Sequence, residues 1–269
     1  MQSAATLIIA ASVGVLSGTH TAIWGMYKDA VHEGFTVRTF VRSIVIGAVV
    51  GVLVQAAFRL PIPTPGALVL LFGLAYAGER AIVEIWKTFF RDEDQSKYFI
   101  PMQFAIGGVP VKSRTTRWMV GVGYILAVSA ALYGISRLDF ARDATPSRLT
   151  AALVGFAVGI VIAIGGGWKD APKEGFDLLK FFRSPALTVL YSVMLSMFTD
   201  SYLLMAGGAI GFERATAETY KTFFFPSKPR GKFTGKPILH PNMLQRRQYF
   251  VPVYVAIWAA VLVWITAAL

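Results

Sequence analysis

The sequence predicts an all-α integral membrane protein built from two tandem, parallel repeats. The chain is 55% hydrophobic and only 15% charged, with a mean hydropathy of +0.57. Soluble domains have roughly 45–50% apolar and about 25% charged residues. The sequence also contains long apolar runs and two motifs that each occur twice. These three observations together predict membrane helices and an internal duplication.

Four apolar runs are candidates for spanning helices, because a span needs about 20 mostly apolar residues. They cover residues 4–23, 118–135, 149–167 and 251–269. No Lys or Arg precedes the first run, and no clear cleavage site follows it. A signal peptide usually has a basic residue before its apolar run and a small-residue cleavage site after it. We therefore expect residues 4–23 to be a retained first span.

The duplication is visible in two motifs that recur in the same order. The pattern KDAxxEGFxxxxFxRS begins at Lys28 and again at Lys169, 141 residues later. The pattern ERAxxExxKTFF begins at Glu79 and again at Glu213, 134 residues later. Matches of this length without gaps indicate duplication, and they divide the chain into membrane repeats of residues 1–140 and 141–269.

Each repeat is expected to contain two spanning helices, an interfacial amphipathic helix and a short helical hairpin. Residues 26–43 mix apolar with charged side chains, which is typical of an interfacial amphipathic helix. The apolar runs 44–58 and 67–77 are separated by a proline-rich break at 59–66. Both runs are short for a span, so they predict a re-entrant or barely spanning helical hairpin. The corresponding stretch of the second copy, residues 185–212, allows either one long helix or a similar hairpin.

The distribution of Lys and Arg distinguishes the hairpin from the single long helix. With hairpins, 22 of the 26 basic residues fall on one face of the membrane. The other face then holds Arg59, Arg137, Arg142 and Arg148. With single helices, the split is 14 to 11 and Arg59 lies near the midplane. Because cytoplasmic loops carry the excess of Lys and Arg, the hairpin is favoured.

This topology has three consequences. The basic loops are cytoplasmic, and both termini lie on the opposite side of a plasma or inner membrane. The two copies are parallel, so a pseudo-two-fold axis runs along the membrane normal. All four copies of the motifs lie on the basic face.

The first motif offers a pair of carboxylates on one helical face in each copy, because residues at i and i+4 are neighbours. The pairs are Asp29 with Glu33 and Asp170 with Glu174, following Lys28 and Lys169. Such a pair could hold a divalent cation that bridges a phosphate. The favoured alternative is that these carboxylates form ion pairs with Arg42 and Arg183. Gly34 and Gly175 are predicted to cap a helix or to allow close helix contact.

The second motif places two acidic and two basic residues on each copy. They are Glu79, Arg80, Glu84 and Lys87 in the first copy, and Glu213, Arg214, Glu218 and Lys221 in the second. The favoured interpretation is an ion-pair lock between the copies. The alternative is recognition of a phosphate or lipid headgroup, for which a planar guanidinium is well suited.

The hairpin tips carry opposite charges at equivalent positions, since Asp200 lies 141 residues after Arg59. Ionisable groups at membrane depth are costly and face a partner, a cavity or water. These two residues therefore predict a polar pathway near the midplane. The alternative is that Arg59 lies near the far-side headgroups and that Asp200 caps a helix.

No cofactor, metal site or nucleic-acid motif is predicted. The chain has no Cys, and none of its three His is spaced i, i+4 from another. The expected partners are membrane lipids with anionic headgroups, and further copies of the chain or other subunits of a membrane complex. The favoured function is transport or channel activity for a small ion or anionic solute. The alternatives are a scaffold subunit and an enzyme acting on a phosphorylated lipid or polyprenyl substrate.

Overall fold

The computed structural model describes residues 3–140, 147–224 and 231–269. The described residues are 79% helical. In the described part, seven helices are long and apolar enough to cross a membrane. The protein is therefore an all-α polytopic membrane protein. Three predicted features lie outside the described residues. They are the boundary between the repeats, the residue Arg142, and residues 226–230 of the second basic loop.

Four long helices occupy the first copy. They are α1 (Ala4–Glu33), α2 (Val37–Phe58), α3 (Pro65–Ile85) and α4 (Arg114–Phe140). A π-helical turn over Trp86–Phe90 extends α3. The loop before α4 contains a two-stranded antiparallel hairpin, β1 (Ala105–Ile106) and β2 (Val109–Pro110).

The second copy contains the remaining helices of the described chain. Its helices are α5 (Arg148–Glu174), α6 (Leu178–Leu195), α7 (Tyr202–Phe223), the short α8 (Asn242–Arg246) and α9 (Val251–Ala268). Short 3-10 turns lie at Gly231–Phe233 and Arg247–Phe250. The helix α7 is not among the seven candidate spans.

The first helix of each copy begins and ends in the same way. The hydroxyl of Ser3 accepts a hydrogen bond from the Thr6 amide, and Ser147 does the same for Thr150, both at 3.1 Å. At the other end, Gly34 and Gly175 adopt φ of 78° and 79°. Positive φ suits glycine because a Cβ atom would be strained there. The expected C-caps within KDAxxEGF are thus confirmed.

A close antiparallel contact joins α1 to α2. A methyl group added at Gly14 would lie 2.1 Å from the Gly47 carbonyl oxygen, and one at Gly18 would lie 2.3 Å from the Ser43 carbonyl oxygen. The backbones therefore touch, and only glycine fits. Small residues at such crossings are the usual basis of helix association in membranes, where lipid removes the hydrophobic driving force.

The same contact recurs between α5 and α6. Gly155 and Gly159 stand 141 residues after Gly14 and Gly18, and they face α6. A methyl group at Gly155 would lie 2.5 Å from the Thr188 carbonyl oxygen. In both copies, KDAxxEGF therefore forms the end of one helix and the turn into its antiparallel partner.

The predicted interfacial helix over residues 26–43 is not a separate element. Instead α1 continues to Glu33 and α2 begins at Val37. The reason is that the apolar residues at the end of α1 are buried. Met26, Ala30 and Val31 pack against Met243 of α8.

The hairpin arms are longer than their apolar runs predict. The arms α2 and α3 have 22 and 21 residues, and α6 and α7 have 18 and 22. Each helix continues past its apolar run into charged residues such as Arg38 and Arg80. At about 1.5 Å per residue, 22 residues reach about 33 Å, enough to cross a hydrocarbon core. Residues 185–212 form parts of two helices, not one.

The chain packs as two compact units, and each takes helices from both sequence copies. The first unit contains Met1–Glu79, Gly207–Ser227 and Pro237–Leu269. The second contains Arg80–Ala206 and Lys228–Lys236. Within the first unit, α3 crosses α7 where Gly73 meets Gly208 and Gly211.

The first basic loop, in the second unit, is held by its own ion pairs. Glu93 binds Arg91 and Lys97, and Asp92 binds Arg117. Although partial burial raises the pKa of Glu93, the hydrogen bond from Lys97 and the charge of Arg91 hold it below its usual value. The loop is thus ordered by its own ion pairs, which the sequence did not reveal.

The backbone contact at Gly18 leads to a testable prediction. We expect Gly18→Ala to lower stability by roughly 1–3 kcal/mol, because the new methyl group overlaps the backbone of α2. The matched control is Gly25→Ala in the same helix, where nothing lies within 4 Å of the added methyl group. The control should be neutral or stabilising, since alanine favours helix over glycine. Thermal unfolding in detergent measures both, and equal melting temperatures would contradict the predicted packing.

Candidate functional site

The first unit buries a carboxylate among three cations. Glu218 of α7 lies 3.3 Å from the Lys28 ammonium, measured from Oε2 to Nζ. Its other oxygen lies 3.6 Å from Arg214 Nη1 and 3.7 Å from Lys221 Nζ. The Glu218 side chain is only 8% exposed. Burying an ionised carboxylate is costly unless it is paired with a cation. These three cations are therefore required for Glu218 to stay ionised in the interior.

The second unit contains the equivalent group of residues in a more open setting. Glu84 lies 4.0 Å from Lys169, 3.7 Å from Arg80 and 3.6 Å from Lys87. Its side chain is 42% exposed. Two Lys and one Arg thus surround a buried carboxylate in one unit and a partly solvated one in the other.

Both clusters combine one motif of each copy. Lys28 belongs to the first KDAxxEGF segment, whereas Glu218 belongs to the second ERAxxExxKTFF segment. In the second unit the relation is reversed, because Lys169 of the second copy approaches Glu84 of the first. Each unit therefore contains an ion pair that joins the two copies.

About two turns N-terminal to Lys28 along α1, the interior of the first unit is polar and aromatic. His20 is completely buried, and its ring stacks on Tyr254 with the centroids 4.0 Å apart. Its Nδ1 lies 3.2 Å from the Tyr76 hydroxyl, which also accepts a 2.8 Å hydrogen bond from Trp24 Nε1. The imidazole is thereby held in one orientation.

A second hydrogen-bonded group links α7 to α9 in this unit. The hydroxyls of Thr219 and Tyr254 are 2.5 Å apart, and Trp258 Nε1 donates to Thr219 at 3.2 Å. Thr219 follows Glu218 directly in α7. The charged cluster and the aromatic core thus share α1 and α7.

In the second copy, the acidic pair of the first motif has a basic partner. Lys180 Nζ lies 2.9 Å from Asp170 and 2.5 Å from Glu174. The partner is Lys180, not the expected Arg183, which makes no ion pair within the described residues. No group of three or more His, Cys, Asp or Glu in that part of the chain could hold a metal ion. The geometry favours ion pairing over cation binding.

The hairpin tips lie at exposed helix ends. Arg59 caps the C-terminus of α2 in the left-handed conformation, with φ of 50°. Asp200 precedes α7, whose first amides donate hydrogen bonds to the Asp139 carboxylate instead. Both side chains are exposed. The midplane pathway, and its alternative of headgroups for Arg59 and a helix cap for Asp200, both stay predictions.

The units divide the predicted site residues as follows. The first unit holds Lys28, Asp29, Glu33, Arg42, Arg59, Glu79, Glu213, Arg214, Glu218 and Lys221, whereas the second holds Arg80, Glu84, Lys87, Lys169, Asp170, Glu174, Arg183 and Asp200. Glu79 and Glu213 are fully buried in the first unit.

Sequence reasoning missed the polar face of α1 on the N-terminal side of Lys28. Ser17, His20 and Thr21 are all buried there. The signal was available in the duplication, because the residues 141 positions later are Val158, Val161 and Ile162. Three polar residues in one copy, where the other copy has apolar ones, indicate a role other than stabilising the fold.

The difference in burial between the two ion pairs leads to a prediction. We expect Lys28→Met to destabilise the protein by about 3–5 kcal/mol, because Glu218 stays buried with less compensation. The matched control is Lys169→Met, which removes the equivalent but more exposed partner and should cost about 0–1 kcal/mol. Unfolding in detergent measures both variants. Equal losses would show that the burial of Glu218 has no energetic consequence.

A comparison with models of known protein families finds no match, and comparisons with curated proteins and with solved structures find none either. The chemistry of the buried residues is therefore what indicates a function. In the first unit this chemistry is a paired charge at one end of α1 and neutral polar groups further along it.

Proposed function

We propose that the protein transports a small ion or anionic solute across the membrane through the interior of the first unit. The observation that carries this proposal is the buried Lys28 and Glu218 pair, continued along α1 by His20 and its polar neighbours. Ionisable groups inside membrane segments are rare because burying them is costly, and they commonly mark ion pathways or proton relays.

The proposed topology places this pair at the basic face. We take α7 to be the second arm of a hairpin with α6, although it is not among the seven apolar candidates. Each hairpin then returns the chain to the side it left, so both copies of both motifs share one face. That face carries 22 of the 26 basic residues and is therefore cytoplasmic. The duplication supports a pseudo-two-fold axis along the membrane normal. Both termini then lie on the far side, together with Arg59.

The path leads from this face into the bilayer. From Lys28 to Ser17, α1 rises about 16 Å, roughly half the hydrocarbon core. Clustered cations at the entrance raise the local concentration of anions. We therefore favour an anion as the transported species. The same cations make anionic lipid headgroups the proposed partners of the basic face.

A scaffold function is the second candidate, and the ion pairs between the copies support it. Lys28 with Glu218 and Lys169 with Glu84 could serve only to hold the duplicated helices together. A lipid-processing enzyme is less supported, because Lys180 occupies the acidic pair of the second copy. Further copies of the chain or other subunits would be partners under the scaffold proposal.

Flux through proteoliposomes tests the transport proposal. We expect the purified protein to carry chloride, and Glu218→Gln to reduce the rate about tenfold, a loss of about 1.4 kcal/mol in transition-state stabilisation. The reason is that Lys28, Arg214 and Lys221 lose the carboxylate that holds them in place at the entrance. The matched control is Glu84→Gln, which changes the equivalent exposed carboxylate and should keep most of the flux. Both variants must first elute from a sizing column like the unmodified protein.

Two outcomes would overturn the transport proposal. One is that the unmodified protein gives no flux of chloride, sodium ion or protons above that of empty liposomes. The other is that Glu84→Gln and Glu218→Gln reduce the flux equally. Stable co-purification of other subunits, without any flux, would favour the scaffold function.

A further inference from the structure

We infer that Ser17, His20 and Thr21 form a binding site for a small inorganic anion, of the size of chloride, inside the first unit. All three side chains are buried, with 0%, 0% and 2% of the residue exposed. In the described structure, Ser17 Oγ, His20 Nε2 and Thr21 Oγ1 have no hydrogen-bond partner. The inference deepens the proposed function and, for its role in transport, rests on it.

Three unpartnered polar atoms within about one turn of a helix need an explanation. A buried polar group that lacks a hydrogen bond costs about 1–3 kcal/mol. Buried groups of this kind are normally satisfied by protein, water or an ion. Ser17, His20 and Thr21 occupy positions i, i+3 and i+4, which lie on one face of α1. One small ligand on that face could satisfy all three.

The hydrogen-bonding character of the site favours an acceptor. Both hydroxyls can donate. For His20, the Tyr76 hydroxyl lies beside Nδ1 and can donate to it, which leaves the proton on Nε2. A bound anion favours this neutral tautomer, because the Nε2 proton then has an acceptor.

The site is held rigidly in place. The imidazole stacks on Tyr254 and meets Tyr76 and Trp258 edge-on, with centroids 5.4 Å and 5.2 Å from its own. Donors that are already fixed bind a ligand without the entropy cost of ordering their side chains. The imidazole therefore presents a preformed donor, about two turns along α1 from Lys28.

The second copy supplies an internal comparison. Its residues Val158, Val161 and Ile162 stand at the equivalent positions on α5. They offer no donor, and Val161 is 70% exposed. The fold of a copy thus does not depend on polar residues here. A site for a ligand accounts for their presence in one copy and their absence from the other.

Calorimetry with sodium chloride tests the site. The full chain in detergent is titrated in sodium gluconate at constant ionic strength. We expect one saturable site, weakened about tenfold or more by Ser17→Ala and by Thr21→Val, because each removes one hydrogen bond to an anion without changing the packing greatly. The control is Ser12→Ala on the exposed face of α1, where the hydroxyl already bonds the Ile8 carbonyl. His20→Val should abolish binding.

The outcomes separate this inference from the proposed function. Absence of saturable chloride binding would overturn the site, and so would affinities that Ser17→Ala and Thr21→Val leave unchanged. In the first case the unpartnered atoms bind only water. Flux that depends on Glu218 would still support transport after such a failure. Chloride binding without any flux would support the site and overturn the transport proposal.

Discussion

The fold of the first unit depends on the need to pair a charge that has been removed from solvent. Glu218 is 8% exposed on a helix surrounded by apolar elements, and it contacts Lys28 of α1. Because an unpaired charge at such a position costs several kcal/mol, this contact fixes α1 against α7. It also fixes which copy of one motif meets which copy of the other. Glycine contacts such as Gly14 with Gly47 then set the spacing of neighbouring helices.

The two occurrences of each motif give two versions of this arrangement, and the versions differ. Both units keep a glutamate with three cations around it, but Glu84 is 42% exposed. On the first helix of each copy, His20 corresponds to the exposed Val161. One copy thus retains helix pairing alone on this face, whereas the other adds a polar interior. This difference is the reason that we assign the ion path to the first unit.

Much of the fold could be predicted from the sequence, because composition and apolar periodicity report directly on burial in lipid. The membrane helices and the caps at Gly34 and Gly175 follow from such local signals. The lengths of the hairpin helices did not, since helices continue into charged residues such as Arg80 when tertiary packing satisfies them. The pairing of Lys28 with Glu218 joins residues 190 positions apart, and no local pattern specifies such a contact. For the same reason the importance of His20 emerged only once its neighbours from α3 and α9 were known.

The most direct test of the central claim is to give the first copy the residues of the second. Ser17→Val, His20→Val and Thr21→Ile together convert the polar face of α1 into the apolar face of α5. The measurement is chloride flux in proteoliposomes, made on protein whose melting temperature equals or exceeds that of the unmodified chain. The account predicts that flux falls to the level of empty liposomes, because the interior no longer offers hydrogen-bond donors to an anion. Flux at the level of the unmodified protein would contradict it.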